Sequence, residues 1–367
     1  MLASPHTLSI ITTHRCTAAC DHCCFDCTPD RSHPSIPVKN IHRYVEQATE
    51  IKSFKLVVLT GGECFLLGRD LDDVVSTITR NGLKSRFVSN GYWATSPKVA
   101  RRRLESLVSR GLGEANLSTG DAHMAYVKPE YVKYGAMAAA DLGLTVFIML
   151  ELHSQSRFDF EAFVGDPVFR PYLESKKVII QNSPWMRFNG EKQLTYTREY
   201  VQEMSNGRVG GCSTVLKVIA ITPTESVVSC CGLTLEQIEE LHLGSLKEKT
   251  LGEILRGAPD DFIKVWIHLQ GPDAVLRYAR RIDPSIPQYD DTAHICEVCR
   301  CMYHDARVVA AVMKSPPPFM GDLMRQYVMN LAQPIAETQF ETSTAAYKEV
   351  CSVNKMRKMR ATAAIPV

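Results

Sequence analysis

Thr7 to Cys24 read TLSIITTHRCTAACDHCC. The first seven residues, TLSIITT, have the apolar, β-branched pattern of a buried strand. They run directly into Cys16, Cys20, Cys23 and Cys24, four thiols within nine positions. Such crowding means disulfides or a metal site. The opening MLASPHTLSIITTHRC has no basic n-region, and its apolar stretch is short and interrupted, so no signal peptide is read. No window approaches the ~20 apolar residues that span a bilayer. The expectation is a cytoplasmic protein with no membrane partner. In that compartment thiols bind metal or do chemistry more often than they pair, and a total of 13 cysteines is odd.

Working outward from that stretch, strand-like and helix-like segments alternate. VKNIHRYVEQATEI (Val38–Ile51) has helical periodicity, and KLVVLT (Lys55–Thr60) reads as a buried strand. LDDVVSTITRNG reads as a helix closed by Asn-Gly, and SRFVSN as a strand. SPKVARRRLESLVSRG has the Ser cap, early Pro and final Gly of a helix. EANLST (strand), PEYVKYGAMAAADLG (helix) and LTVFIMLEL (strand) follow. Five βα repeats predict a parallel sheet with right-handed crossovers. A doubly wound sheet and a full or partial (β/α) barrel fit this pattern equally.

Either way, ligands bind at the carboxyl ends of the strands. The cysteine cluster follows strand one, Gly61–Gly62–Glu63 follows strand two, Ser89–Asn90–Gly91 ends strand three, and STGDAH (Ser118–His123) follows strand four. Four polar motifs on one rim imply one site. Beyond residue 152, FEAFVGDPVFRPYLESKK reads as helical and irregular, and KVIIQ (Lys177–Gln181) as a sixth strand. GRVGGCSTVLKVIAITPTESVVSCCG predicts a β-hairpin bracketed by cysteines, with its turn near Pro223–Glu225. A helical stretch leads to CEVCRC (Cys296–Cys301), then the rigid linker Pro316–Pro318 and a helical remainder. With 367 residues and 45% hydrophobic content the chain can bury a full core. A formal net charge of +2 gives no field that favours nucleic acid. The one dense basic run, KMRKMR near the C-terminus, reads as a solvated tail.

Cys16-x3-Cys20-x2-Cys23 offers three soft ligands, as an iron–sulfur cluster needs. The fourth iron then takes a small molecule, Cys24 or Cys27. A structural zinc site is the competing reading, although it usually shows paired knuckles. Cys64 and Cys351 read as buried free thiols.

Taken together, the Cys-x3-Cys-x2-Cys loop after the first strand and GGE after the second resemble the radical S-adenosylmethionine (SAM) enzymes, over roughly residues 8–152. The resemblance implies a partial (β/α)6 TIM barrel. It implies a [4Fe-4S] cluster on Cys16, Cys20 and Cys23, with SAM on the open iron. It puts Gly61, Gly62 and Glu63 at the SAM amino group, Ser89 and Asn90 facing SAM, and Ser118 and Asp121 near its ribose. His22 stands where the family usually has an aromatic residue, and its imidazole can stack on the adenine. The later cysteines resemble the family's shortened (twitch/SPASM-like) auxiliary extension. That implies a second [4Fe-4S] cluster on Cys212, Cys230, Cys296 and Cys299, with Cys301 as the alternative to Cys299. The implied divisions are a barrel over 1–205, an auxiliary-cluster domain over 206–304 and a helical region over 305–367.

CDHCCFDC, TGGE, SNGYW, DAHMAYV, the Cys230–Cys231 doublet and ICEVC resemble the radical SAM epimerases of ribosomally made peptides. In that group the second cysteine of the doublet gives hydrogen to the substrate radical, a role that falls on Cys231. Those epimerases carry an Asp on the hairpin strand, where this chain has Leu216 and Lys217. The expectations are a peptide precursor as substrate, a flavodoxin or ferredoxin as reducing partner, and an epimerised residue as product. Oxidative crosslinking of a peptide and small-molecule chemistry are the alternatives. Only about six residues precede the first strand, so the barrel mouth or the C-terminal helices are expected to bind a peptide.

Overall fold

The computed structural model describes residues 4–151, 156–183, 210–258, 261–289 and 292–332. The KMRKMR run and the expected boundary near 205 lie outside them.

Six strands alternate with helices: β1 (Thr7–Ile11), β2 (Leu56–Thr60), β3 (Lys84–Ser89), β4 (Glu114–Gly120), β5 (Thr145–Glu151) and β6 (Val178–Ser183). Each pairs in parallel with its sequence neighbour. The helices between them are α1 (Val38–Thr49), α2 (Asp70–Arg80), α3 (Pro97–Val108), the short α4 (Asp121–Met124), α5 (Pro129–Asp141), α6 (Phe160–Gly165) and α7 (Arg170–Glu174). Local chemistry fixes their ends. Ser96 accepts a hydrogen bond from the Val99 amide, and Pro97 opens α3 where no helical amide is needed.

The sheet does not reverse at β1, as a doubly wound sheet would. Its order is β6-β5-β4-β3-β2-β1-β7-β8-β9, an open, singly wound array that forms a partial barrel. β7 (Val218–Ile221) pairs in parallel with β1, then runs antiparallel to β8 (Ser226–Val228), which pairs with β9 (His242–Ser245). The expected hairpin therefore extends the barrel sheet directly, with its turn at Pro223–Glu225. β9 lies in the stretch expected to be helical, where only two short 3-10 turns form before it.

Strand alternation sorts residues between two surroundings. Leu8, Ile10, Val57, Leu59, Phe87, Ala115, Leu117, Ile148 and Ile180 join Tyr44, Val74, Leu104 and Ala136 from the helices in one core. The opposite face of the same strands carries Arg86, Asn116, Ser118, Phe147, Met149 and Gln181, all partly exposed. The inward face is thus partly exposed on β3 to β6 and mixed in polarity, while Ser9, Ile11 and Val58 on β1 and β2 are buried.

α8 (Leu251–Gly257) packs on α1. A second core gathers Ala220, Val228 and Cys230 with α9 (Phe262–Gln270), α10 (Pro272–Ile282), α11 (Ile295–His304), α12 (Ala306–Lys314) and α13 (Met320–Ala332). Pro316–Pro318 sit between the last two helices. No helix among the described residues is long and apolar enough to cross a membrane.

Candidate active site

Glu63 is fully buried where β2 ends. Its Oε1 accepts from the Phe65 amide at 3.0 Å, and its Oε2 accepts from Ser89 Oγ and the Asn90 amide, each at 3.0 Å. Burial raises its carboxyl to about 7, against the pull of those hydrogen bonds. The glycines before it make close backbone contact. A Cβ on Gly61 (φ +137°) would lie 2.5 Å from the Thr13 carbonyl oxygen, and one on Gly62 only 2.1 Å from that of Arg15. The Gly62 and Glu63 amides donate to those two carbonyls at 2.7 and 2.9 Å. In the structure, the glycines serve the approach of the GGE turn to the root of the cysteine loop.

That loop brings Cys16, Cys20 and Cys23 together. The Cys23 amide donates to the Cys20 carbonyl (3.0 Å), and the Cys16 amide to Thr28 (2.9 Å). Cys16 Sγ approaches the Gly62 carbonyl at 3.3 Å, and Asn90 Nδ2 donates to Thr17 Oγ1 at 3.0 Å. All three thiols are partly exposed. Burial pushes Cys16 up to about 11 and raises Cys20 further, with added repulsion from neighbouring thiols and, for Cys20, from Glu151. Three soft donors that repel one another as thiolates are a donor set that a cationic cluster would satisfy. Cys27, almost fully buried, donates its amide to Cys23 Sγ at 3.3 Å.

The other rim residues differ in their freedom. Ser89 Oγ also accepts from Trp93 Nε1 (2.9 Å) and the Gly91 amide (3.1 Å). Ser118 faces the open interior, partly exposed. Asp121 is engaged elsewhere in the fold: it accepts from the Arg157 amide (2.8 Å), the Phe158 amide (2.6 Å) and Ser156 Oγ (3.2 Å).

His22, His123 and Glu151 converge beside the cysteine loop, and the sequence reading singled out only the first. His22 Nε2 lies 2.5 Å from Glu151 Oε1, and His123 Nδ1 pairs with the same oxygen. The two rings meet edge to face, with centroids 5.2 Å apart. Burial works to raise the Glu151 carboxyl, but the two imidazoles overcome it and hold it at about 2. His123 is raised because Glu151 outweighs its own burial. A charged residue closing an otherwise apolar strand, TVFIMLE, was the available signal.

The later cysteines form a second group. Thr214 Oγ1 lies 3.3 Å from Cys212 Sγ and 3.4 Å from Cys230 Sγ. A Cβ on Gly232 would meet Cys296 Sγ at 2.9 Å and Cys230 Sγ at 3.2 Å. Cys296 and Cys299 are one turn apart on α11, and Cys299 is raised by burial and by Cys230, Cys296 and Cys212. Cys301 faces elsewhere, into a hollow of about 460 Å³ with Tyr289, Arg300 and His304. Cys231 parts from its neighbour. Its Sγ donates to Ser9 Oγ on β1 at 3.2 Å, and burial raises its pKa.

Residues 10–119 match the radical SAM superfamily, and the chain carries a radical SAM domain there. Over 127 residues it is 29% identical to the "Putative peptide biosynthesis protein YydG" of Bacillus subtilis (strain 168), a stretch that spans 35% of this chain and 40% of that relative. Native anSMEcpe with bound AdoMet superposes with a TM-score of 0.55 at 12% identity, over 90% of this chain and all of that one (100%). Its His6-tagged form gives 0.50 at 12% identity, over 83% and 98%. At that identity the likeness is one of fold.

Proposed function

We propose that this chain is a radical SAM enzyme that epimerises a residue of a peptide. Cys16, Cys20 and Cys23 would hold one [4Fe-4S] cluster, and Cys212, Cys230, Cys296 and Cys299 a second. Bound with SAM, the first cluster would supply a 5′-deoxyadenosyl radical, the agent that removes hydrogen from an unactivated carbon. Glu63, Ser89, Asn90 and Ser118 line the rim for SAM, and His22 offers its ring to the adenine. The likeness to a named peptide biosynthesis protein favours a peptide over a small molecule.

The observation that carries the reading is the divergence of the cysteine doublet. Cys230 turns to Thr214 and the Cys212/Cys296 group, while Cys231 turns to the buried Ser9 on β1. A thiol with a raised pKa keeps its S–H bond at neutral pH. That hydrogen passes to the peptide Cα radical on the face opposite abstraction and completes a new C–H bond. The sulfur is left as a thiyl radical. One electron from a flavodoxin or ferredoxin class of reductant, and one proton from water, restore it.

The test is reaction with a library of random peptides in deuterated water under reducing, anaerobic conditions. Epimerisation adds one deuteron to a peptide of unchanged composition, and chiral amino-acid analysis finds a D-residue. Loss of two hydrogens would mean crosslinking instead, and the epimerase reading would fall.

A further inference from the structure

We propose that Glu151 is a positioning residue for SAM binding and that it acts through His22. The inference rests on reading His22 as the ring that faces the adenine, and it is independent of the substrate.

His22 differs from the aromatic residue usual at its position in having a polar ring edge. A phenyl ring in a loop is held by apolar contacts alone. An imidazole must also satisfy its nitrogens, and without a fixed acceptor it turns toward water. Glu151 supplies that acceptor. Its carboxylate is almost completely buried, and Oε1 makes ion-pair contacts with both His22 Nε2 and His123 Nδ1. The edge-to-face contact with His123 then sets the plane of the His22 ring.

The anchor sits at a paired strand end. Glu151 ends β5 opposite Gly120, the last residue of β4. Gly120 has φ +140°, and a Cβ there would lie 2.8 Å from Glu151 Cβ and 3.0 Å from Oε2. The absence of that side chain is what lets the carboxylate reach the loop. His123 rises from the helix that begins at the next residue. Two adjacent strand ends therefore hold a clamp, and the cysteine loop enters it through His22. Loss of a buried, charged hydrogen-bonding partner is expected to cost about tenfold in the binding that depends on the ring it holds.

The experiment is a double-mutant cycle read by SAM affinity, on protein reconstituted with iron and sulfide and without peptide. Glu151→Ala is expected to weaken SAM about tenfold with iron content unchanged. His22→Tyr supplies a ring that needs no carboxylate. In that background Glu151→Ala should change SAM affinity by less than about twofold, the signature of full coupling. An equal loss in both backgrounds, or a loss in neither, overturns the proposal. Should Glu151→Ala shed iron, Glu151→Leu refills the volume and carries the same cycle. A chain that shows the coupling but modifies no peptide would sink the functional reading and leave this one standing. Absence of SAM binding by the wild type would sink both.

Discussion

Cys231 Sγ and Ser9 Oγ lie 3.2 Å apart although 222 positions separate them in sequence. Ser9 is on the first strand of the barrel, fully buried, and paired on one side with Val58 and on the other with Ala220. The contact connects the doublet to the barrel wall next to Arg86, whose charge reaches the same thiol. Cys231→Ala should keep its iron and still release 5′-deoxyadenosine in the presence of substrate, while D-residue product disappears. Normal product at the normal rate would remove Cys231 as donor. Loss of half the iron would make it a cluster ligand.

Iron content tests the two thiol groups separately. The wild type should hold about eight irons per chain after anaerobic reconstitution, as two four-iron clusters require. The Cys16/Cys20/Cys23→Ala triple variant should hold about four and cleave no SAM. Cys212→Ala or Cys296→Ala should lose the other set and retain the SAM-dependent change in the electron paramagnetic spectrum. Four irons in the wild type, or stoichiometric zinc, would contradict the second cluster.

Glu63 makes stability depend on pH in a definite direction. Its carboxyl titrates near 7 in the fold against 4.5 for the ordinary side chain. Between those values the folded chain keeps a proton that the unfolded chain has lost. Stability is therefore full below pH 4.5 and falls as pH rises through 7, by on the order of 3 kcal/mol for a shift of this size. Glu63→Gln should flatten that slope in urea unfolding of the cofactor-free protein between pH 5 and 7.5. An identical slope in both proteins would place the titration elsewhere.

Gly62→Ala should be among the costly single-methyl changes in the molecule. The added Cβ would sit 2.1 Å from the Arg15 carbonyl oxygen, a backbone atom. Relief requires moving the root of the cysteine loop, at about 1–3 kcal/mol. Thermal unfolding and cluster loading should both fall. Gly165→Ala, where no atom lies within 4 Å of the added Cβ and φ is not positive, controls for the added methyl itself.

Much of this was readable from residue order. Buried parallel strands announce themselves through runs such as KLVVLT, and the Ser96-Pro97 start of α3 follows from capping chemistry. Periodicity could not separate a doubly wound sheet from a partial barrel, because both repeat the same βα unit. The choice lies in which edge of β1 the later chain joins. The 3-10 turns and strand β9 escaped because LTLEQIEELHLGS carries helix-forming residues, while pairing with β8 decides its end. Asp121, which the resemblance puts near the SAM ribose, also accepts hydrogen bonds from residues 156–158, a contact that no local pattern announces. Glu151 and His123 meet His22 only because two neighbouring strands end side by side, a relation that lies across the sheet and not along the chain.

The pairing of β1 with β7 sets a timetable for the nascent polypeptide. β1 leaves the ribosome with two hydrogen-bonding edges. One is met by Leu56–Thr60 soon afterwards, but the other waits for Val218–Ile221. At about 5–20 residues per second that wait is roughly 10–40 s. Throughout it, the strand leading into the cysteine loop presents an open, apolar edge of the kind that templates aggregation. Overexpression should therefore fail through early chains associating edge to edge before residue 218 arrives to seal them.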